Sequence, residues 1–324
     1  KGVTMGEQLI GVAAMGGDAL SVLDKIRDLE ARNIPAAWLT TGGAGLDALS
    51  LFSAAAVQTK RIKLGTSIIP TWPRHPVAIA QQLQVLGQLA PGRFRFGTGP
   101  SHKPMMERGF GADFRKPLTN LREYMTIVRT LLADGKVDFE GEHYRAHASV
   151  PHQLPDLPIM ASALRAASFE LCGEISDGAI SWVCPMAHLR DVGLPALNRG
   201  AAKVGRPVPP LIVHVPLCIH DDEDEARKAV KAQFGRDAQI PFYGAMFVEA
   251  GFPEAREGSW SDGMVDAVAV IGDESAAEKA LAAIFAWGAG ELLVSVVPAG
   301  DDLVASEERI LKFVSGIASR TRTV

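Results

Sequence analysis

Residues 93–102 read Arg93-Phe94-Arg95-Phe96-Gly97-Thr98-Gly99-Pro100-Ser101-His102. Arg and Phe alternate as on a strand, and the pattern then breaks into Gly-x-Gly followed by Pro, Ser and His. Two folds compete for such a stretch. A dinucleotide-binding fold needs G-x-G-x-x-G directly after its first strand, opening a helix, with an acidic residue about 20 positions later. Here His102 stands where the third glycine belongs, the motif follows the fourth apolar run, and no helical pattern resumes before about Pro117. The alternative is a barrel strand running out into an active-site loop, since functional loops of α/β barrels follow the carboxyl ends of the strands. The long connection after Gly99 favours this second reading.

The rest of the chain agrees with a barrel. Apolar runs at 9–14, 35–40, 61–70, 93–99, 157–162, 177–183, 210–220 and 291–297 read as strands. Helical stretches follow them at 18–33, 46–59, 76–90, 117–135, 165–175, 187–204, 222–235 and 303–320. Asp18 is placed to cap the first helix, whose apolar residues Leu20, Leu23, Ile26 and Leu29 recur at helical spacing. Segment 137–146 reads as a hairpin, 239–262 as a Gly/Pro/aromatic-rich insert, and 274–288 as an additional helix. Eight strand–helix units without a break in composition predict an α/β fold, a (β/α)8 TIM barrel. It is expected to be one domain over 1–324, with insertions at about 136–150 and 239–262. A doubly wound parallel sheet is the competing architecture.

Composition limits the function. Apolar residues make up 47% and charged residues 22%, enough for a full core, and the net charge of −4 gives no basic footprint for nucleic acid. No apolar run approaches the roughly 20 residues of a membrane span, and the first residues show no signal-peptide pattern, so a cytoplasmic protein is expected. Cys172, Cys184 and Cys218 lie far apart and read as buried thiols, with no metal site expected. His143 and His147 fall in the hairpin, about 13 Å apart along a strand, too far for a metal pair. The run Asp221–Glu225 opens a helix, where negative charge complements the macrodipole.

The stretch Lys60–His102, with Arg-Ile-Lys-Leu-Gly-Thr at 61–66, His75-Pro76 and Gly-Arg-Phe-Arg-Phe-Gly-Thr-Gly at 92–99, resembles the bacterial-luciferase-like flavin-dependent oxidoreductases. The segments 100–144 and 157–183 extend the likeness over most of the chain, and it is nearest to the subgroup dependent on coenzyme F-420, an 8-hydroxy-5-deazaflavin. The resemblance implies a barrel with the cofactor at its carboxyl face, a homodimer, and a non-prolyl cis peptide backing the ring at Ser67-Ile68. It implies further that backbone N–H groups at Ala163, Leu164, Arg165 and Ala166, where a helix begins, cradle the cofactor phosphate. The chain departs from the family pattern there, with Arg165 and Ala166 replacing Gly and Pro, although the Arg165 guanidinium offers its own phosphate contact. It also lacks the acidic-His pair after the second strand, reading Leu39-Thr40-Thr41-Gly42, and has Pro100 in place of Glu.

Within that frame His102 is the candidate proton-transfer residue, because its loop faces the expected cofactor and an imidazole titrates near neutral pH. Thr98, Gly99, Ser181 and Trp182 are expected to contact the cofactor, and Trp38, Trp72 and Glu107 the substrate. Each aromatic has core packing as its competing role, Ser181 a strand hydrogen bond, and Glu107 a solvated surface position. His75 suits a helix cap as well as a functional role, and Arg74 an anionic tail. The expected activity is hydride transfer between F-420 and a small organic substrate. An FMN-dependent luciferase-like monooxygenase using oxygen is the alternative, and a non-catalytic flavin-binding barrel the third reading.

Overall fold

Each apolar run becomes a short strand covered on both faces, one by the barrel interior and the other by a helix. In the computed structural model, which describes residues 9–321, the strands are β1 (Leu9–Ala13), β2 (Ala36–Leu39), β3 (Lys63–Thr66) and β4 (Phe94–Gly99). They continue with β5 (Ile159–Ser162), β6 (Ala179–Ile180), β7 (Leu211–Ile219) and β8 (Glu291–Val296). All neighbours pair in parallel, β1 joins β8, and β7 joins both β6 and β8, so the eight strands close into a ring. This is the (β/α)8 barrel, and the doubly wound sheet is set aside.

Helices pack outside as the periodicity requires. Asp18 accepts the Ser21 N–H at 2.9 Å and caps the helix Ala19–Ala31, which buries Val22, Ile26 and Leu29 against the strands, while Leu20 stays in solvent. The hairpin pairs Lys136–Glu140 with Arg145–Ser149. Its turn is held by Glu123, whose carboxylate accepts the N–H groups of Glu142, His143 and Tyr144.

Four expectations about the elements need correction. The loop after β4 contains a helix, Lys103–Phe110, closed by Gly111 at φ +66°. Only Met106 of that helix is buried, so the sequence carries no apolar stripe to announce it. A short strand, Val270–Gly272, extends the sheet beside the end of β7. The sixth strand shrinks to Ala179–Ile180, because Val183 adopts φ +45° and the chain leaves the sheet. The insert after β7 is mostly helical, with an α-helix at Pro241–Glu249 and a 3-10 turn at Pro253–Glu257.

Candidate active site at the carboxyl end of the barrel

The barrel interior is filled from below. Trp38 lies wholly inside it, its indole N–H donating to Glu291 at 3.1 Å and its ring 4.3 Å beneath the Arg95 guanidinium. Arg95 in turn donates to Glu291 at 2.9 Å. Glycines make the space: a Cβ on Gly11 would lie 2.6 Å from the indole nitrogen, and one on Gly65 would lie 2.5 Å from the ring carbons. Trp38 is therefore a floor plug and not a substrate wall, which corrects the expectation. A large planar side chain inside a barrel needs small neighbours, and the sequence supplies them on the two adjacent strands.

The opening stretch Gly97-Thr98-Gly99 serves close approach. A Cβ on Gly97 would stand 2.0 Å from the Thr66 carbonyl oxygen, and one on Gly99 would stand 2.0 Å from Ser162 Oγ. Beside it, β3 breaks at a cis peptide between Ser67 and Ile68 and resumes as Ile69–Pro70, which pairs with Thr98 and Gly99. Three threonines hold this shelf. Thr40 Oγ1 donates to the Ser67 carbonyl at 2.6 Å, Thr98 Oγ1 donates to the Ile69 carbonyl at 2.8 Å, and Thr66 Oγ1 donates to the Gly97 carbonyl at 2.8 Å. Thr98, expected to contact the cofactor, is fully buried, and its hydroxyl holds the shelf from behind.

Trp38 belongs to one interior cluster with Ala13, Ala36, Met160, Ile180, Ile212 and Leu293, and two partly exposed side chains, Ile68 and Trp182, cap it. The structure thus brings the third-strand shelf and Trp182, two positions after β6, to one apolar surface at the mouth. Ser181, expected beside the ring system, is fully buried. Its hydroxyl donates to the Ile212 carbonyl at 3.3 Å and accepts the His214 N–H at 3.1 Å, the strand role that competed with cofactor contact.

At the start of the helix Ala166–Ile175, the N–H groups of three cradle residues are already engaged. Ala163 donates to the Ile180 carbonyl, and Leu164 and Arg165 both donate to Ser168 Oγ at 3.1 Å. An anion there would meet the first-turn N–H groups of Ala166 and Ala167, which have no intrahelical acceptor, together with the Arg165 side chain. Arg165 is paired with Glu249 at the end of the insert helix, its Nε donating at 2.9 Å, and stands 5.8 Å over the Phe242 ring.

The same insert helix reaches the loop after β4. Tyr243 is buried with its ring 5.4 Å from that of His102. Burial holds the His102 pKa below the usual imidazole value, so the ring is neutral at neutral pH and can accept a proton. Burial raises Tyr243 far above its ordinary range, and Asp237 nearby adds to that shift. Asp237 itself is pushed up by burial to about 6. Ser101, just before His102, has φ +57°, in the left-handed region that non-glycine residues rarely occupy.

The remaining candidates lie further out. Trp72 is clamped between Phe114, at 5.1 Å, and His143 of the hairpin, at 5.6 Å. Glu107 is exposed and 3.7 Å from Lys103 one turn earlier, a solvated ion pair. His75 caps its helix by accepting the Val77 N–H, and Arg74 is paired with Asp47 at 2.6 Å. Among the described residues no group of three metal-ligating side chains is assembled, and no described helix is long and apolar enough to cross a membrane. Sequence reading missed Tyr243, Glu249, Asp237 and His214. The first three lie in or next to an insert whose helical stripe is hidden among apolar residues on its other faces. The signal for His214 was visible, a histidine alone in the apolar run Leu211–Ile219.

Several known proteins are similar to this chain. An F420-dependent glucose-6-phosphate dehydrogenase of Beutenbergia cavernae is 34% identical over 200 residues, 59% of this chain and 58% of that protein. The chain thus spans less than two thirds of that relative's length. A 5,10-methylenetetrahydromethanopterin reductase of Methanolobus tindarius is 25% identical over 298 residues, 86% of this chain and 89% of that protein. The solved structure of an F420-dependent secondary alcohol dehydrogenase in complex with an F420-acetone adduct superposes with a TM-score of 0.80 at 17% identity, covering 96% and 99% of the two chains. With the luciferase-like monooxygenase family model matching residues 5–291, on a closed barrel whose mouth is capped by Ile68 and Trp182, this chain belongs to that family.

Proposed function

We propose that the chain is an F-420-dependent oxidoreductase acting on a small organic alcohol or carbonyl compound. The observation that carries the reading is the apolar cap at the mouth, where Ile68 on the third-strand shelf and Trp182 after β6 close one interior cluster. Such a surface suits a flat tricyclic ring, and the helix start at Arg165-Ala166 suits the phosphate of its tail. The residues fit the group in kind: an apolar shelf, an aromatic wall and an anion-binding end follow one another on neighbouring strands. Bound there, a deazaflavin supplies two-electron hydride chemistry.

The protein's own residues do the rest. Ile68 and Trp182 orient the ring, while Gly99 lets Ser162 approach closely. Arg165 and the N–H groups of Ala166 and Ala167 hold the phosphate. His102, neutral at working pH, accepts the proton of a substrate hydroxyl during oxidation and returns it during reduction. Tyr243 packs against His102 and limits its ring orientations. Trp72 and Glu107 stay within the proposal as outer contacts to substrate, and a homodimer is expected of the assembly. The names of the relatives support this reading, since both similar oxidoreductases named as F420-dependent carry that cofactor in their description.

The family's description as a monooxygenase, with an FMN-bound monooxygenase among the solved structures of like fold, supports FMN with oxygen as a second reading. Fluorescence titration of the full chain with F-420 and with FMN separates the two. Tight binding of the deazaflavin with weak binding of FMN supports the proposal, the reverse supports the monooxygenase, and binding of neither removes both.

A further inference from the structure

Behind Trp182 lies His214, in the middle of β7 and without any exposed surface. A lone imidazole in a core is costly unless both ring nitrogens are paired, and here both are. Nδ1 accepts the Val183 N–H at 3.1 Å, and Nε2 lies 2.9 Å from Ser295 Oγ. A backbone N–H can only donate, so Nδ1 is the bare acceptor and the proton sits on Nε2, which donates to Ser295. The ring stacks on the indole of Trp182 with centroids 3.7 Å apart and planes 18° from parallel. Phe234 closes the edge, 5.5 Å from the imidazole and 6.3 Å from the indole.

The hydrogen bond to Nδ1 also fixes an unusual piece of backbone. Val183 is β-branched and has φ +45°, a conformation that such residues avoid unless their surroundings impose it. A proton relay is not available to His214, because Val183 N–H, Ser181 and Ser295 are its polar partners and none of them titrates near neutral pH. Burial drives its pKa down to about 3, so the ring stays neutral wherever the protein is folded and working.

We propose that His214 is a positioning residue, which from behind the wall sets the plane of Trp182 and the left-handed turn at Val183, and so the width of the slot into which the cofactor ring fits. The inference rests on the reading of Trp182 as a wall of the cofactor site. It concerns a residue that no ligand touches.

A double-mutant cycle tests it. His214→Asn removes the aromatic plate, Trp182→Phe removes the indole, and near-ultraviolet circular dichroism of the full chain reports the stacked pair without any cofactor. The proposal expects His214→Asn to lose the dichroism that Trp182→Phe also loses, and to change nothing more in the Trp182→Phe background. It expects each single variant to weaken F-420 binding by about tenfold, and the double variant by no more than the larger single effect. Multiplying effects on affinity, or an equal dichroism change in both backgrounds, would overturn it. His214→Leu, which removes both the plate and the acceptor and is apolar, carries the same cycle should the Asn variant fail to fold. A wild type that binds neither F-420 nor FMN overturns the cofactor reading and the slot with it. The dichroism cycle then still decides, by itself, whether His214 holds Trp182.

Discussion

The two ends of the barrel are built on opposite principles. At the amino end Trp38, Arg95 and Glu291 form a closed set, buried and mutually paired. At the carboxyl end lie left-handed residues at Ser101 and Val183, a half-buried neutral His102, a carboxyl at Asp237 with its pKa raised, and side chains that are half exposed. Apart from Arg95 Nε, which has no acceptor, the floor is satisfied, while the mouth is poised. That division is what a barrel enzyme needs, since one end supplies stability and the other the chemistry.

The comparison can be broken at the floor first. Glu291→Ala leaves the Arg95 guanidinium buried without its partner, and loss of one member of a buried pair costs about 3–5 kcal/mol. Chemical denaturation should register that loss, while cofactor affinity of the folded fraction stays within about twofold of wild type. Equal losses in stability and affinity would show that floor and mouth are not separate.

At the mouth the largest expected effect is on turnover. His102→Ala should lower kcat by about a hundredfold, some 2.7 kcal/mol, with little change in melting temperature or cofactor affinity. Burial favours the neutral ring, so the acid limb of kcat/KM should fall below the ordinary imidazole pKa of 6.5, as protonation removes the acceptor. The limb should vanish in the variant. An unchanged rate would remove His102 from the mechanism.

Asp237 gives a smaller, stability-based test. Its folded pKa of about 6 exceeds that of an unfolded aspartate, so between about pH 4 and pH 6 the folded state keeps a proton that the unfolded chain has released. Stability must therefore fall as pH rises through that window and level off above it. Asp237→Asn should remove about 1–2 kcal/mol of that dependence, read as the difference between the variant and wild-type melting curves across pH. A pH dependence identical in both would mean that Asp237 ionises freely.

The smallest effect concerns the pair joining the insert to the anion end. Arg165→Glu should weaken deazaflavin binding about tenfold, and the loss should shrink in high salt. Glu249→Gln, which frees the guanidinium, should tighten binding by about two- to threefold. Insensitivity of the dissociation constant to both changes would place the phosphate elsewhere.

Much of this was legible in the chain itself. The alternation of apolar runs with helical stretches yielded the barrel, because strands covered on both faces and helices with one buried stripe differ in periodicity. The Gly-x-Gly break marked the approach to a strand end, reached at Gly99, and the resemblance to the luciferase-like oxidoreductases located Ser67-Ile68, the cis peptide observed. The helix Lys103–Phe110 was not legible, since it buries only Met106, and in the insert helix Pro241–Glu249 the buried stripe of Tyr243, Met246 and Phe247 is hidden among apolar residues on the other faces. Among the tryptophans, sequence could not separate Trp38 from Trp182, as both end apolar runs and both suit a planar contact.

What the sequence alone determined is the class of fold, which follows from short-range pattern, whereas the groups expected at the carboxyl end came from the resemblance to the luciferase-like oxidoreductases. Tertiary structure decided which of those groups face the mouth. It put Trp38 on the floor and Trp182 at the rim, turned Thr98 and Ser181 onto neighbouring strands, and set His214 behind the wall. The physical reason is closure: the facing of an inward side chain depends on the gaps left by strands distant in sequence, here at Gly11, Gly65, Gly97 and Gly99, and no local window contains those gaps.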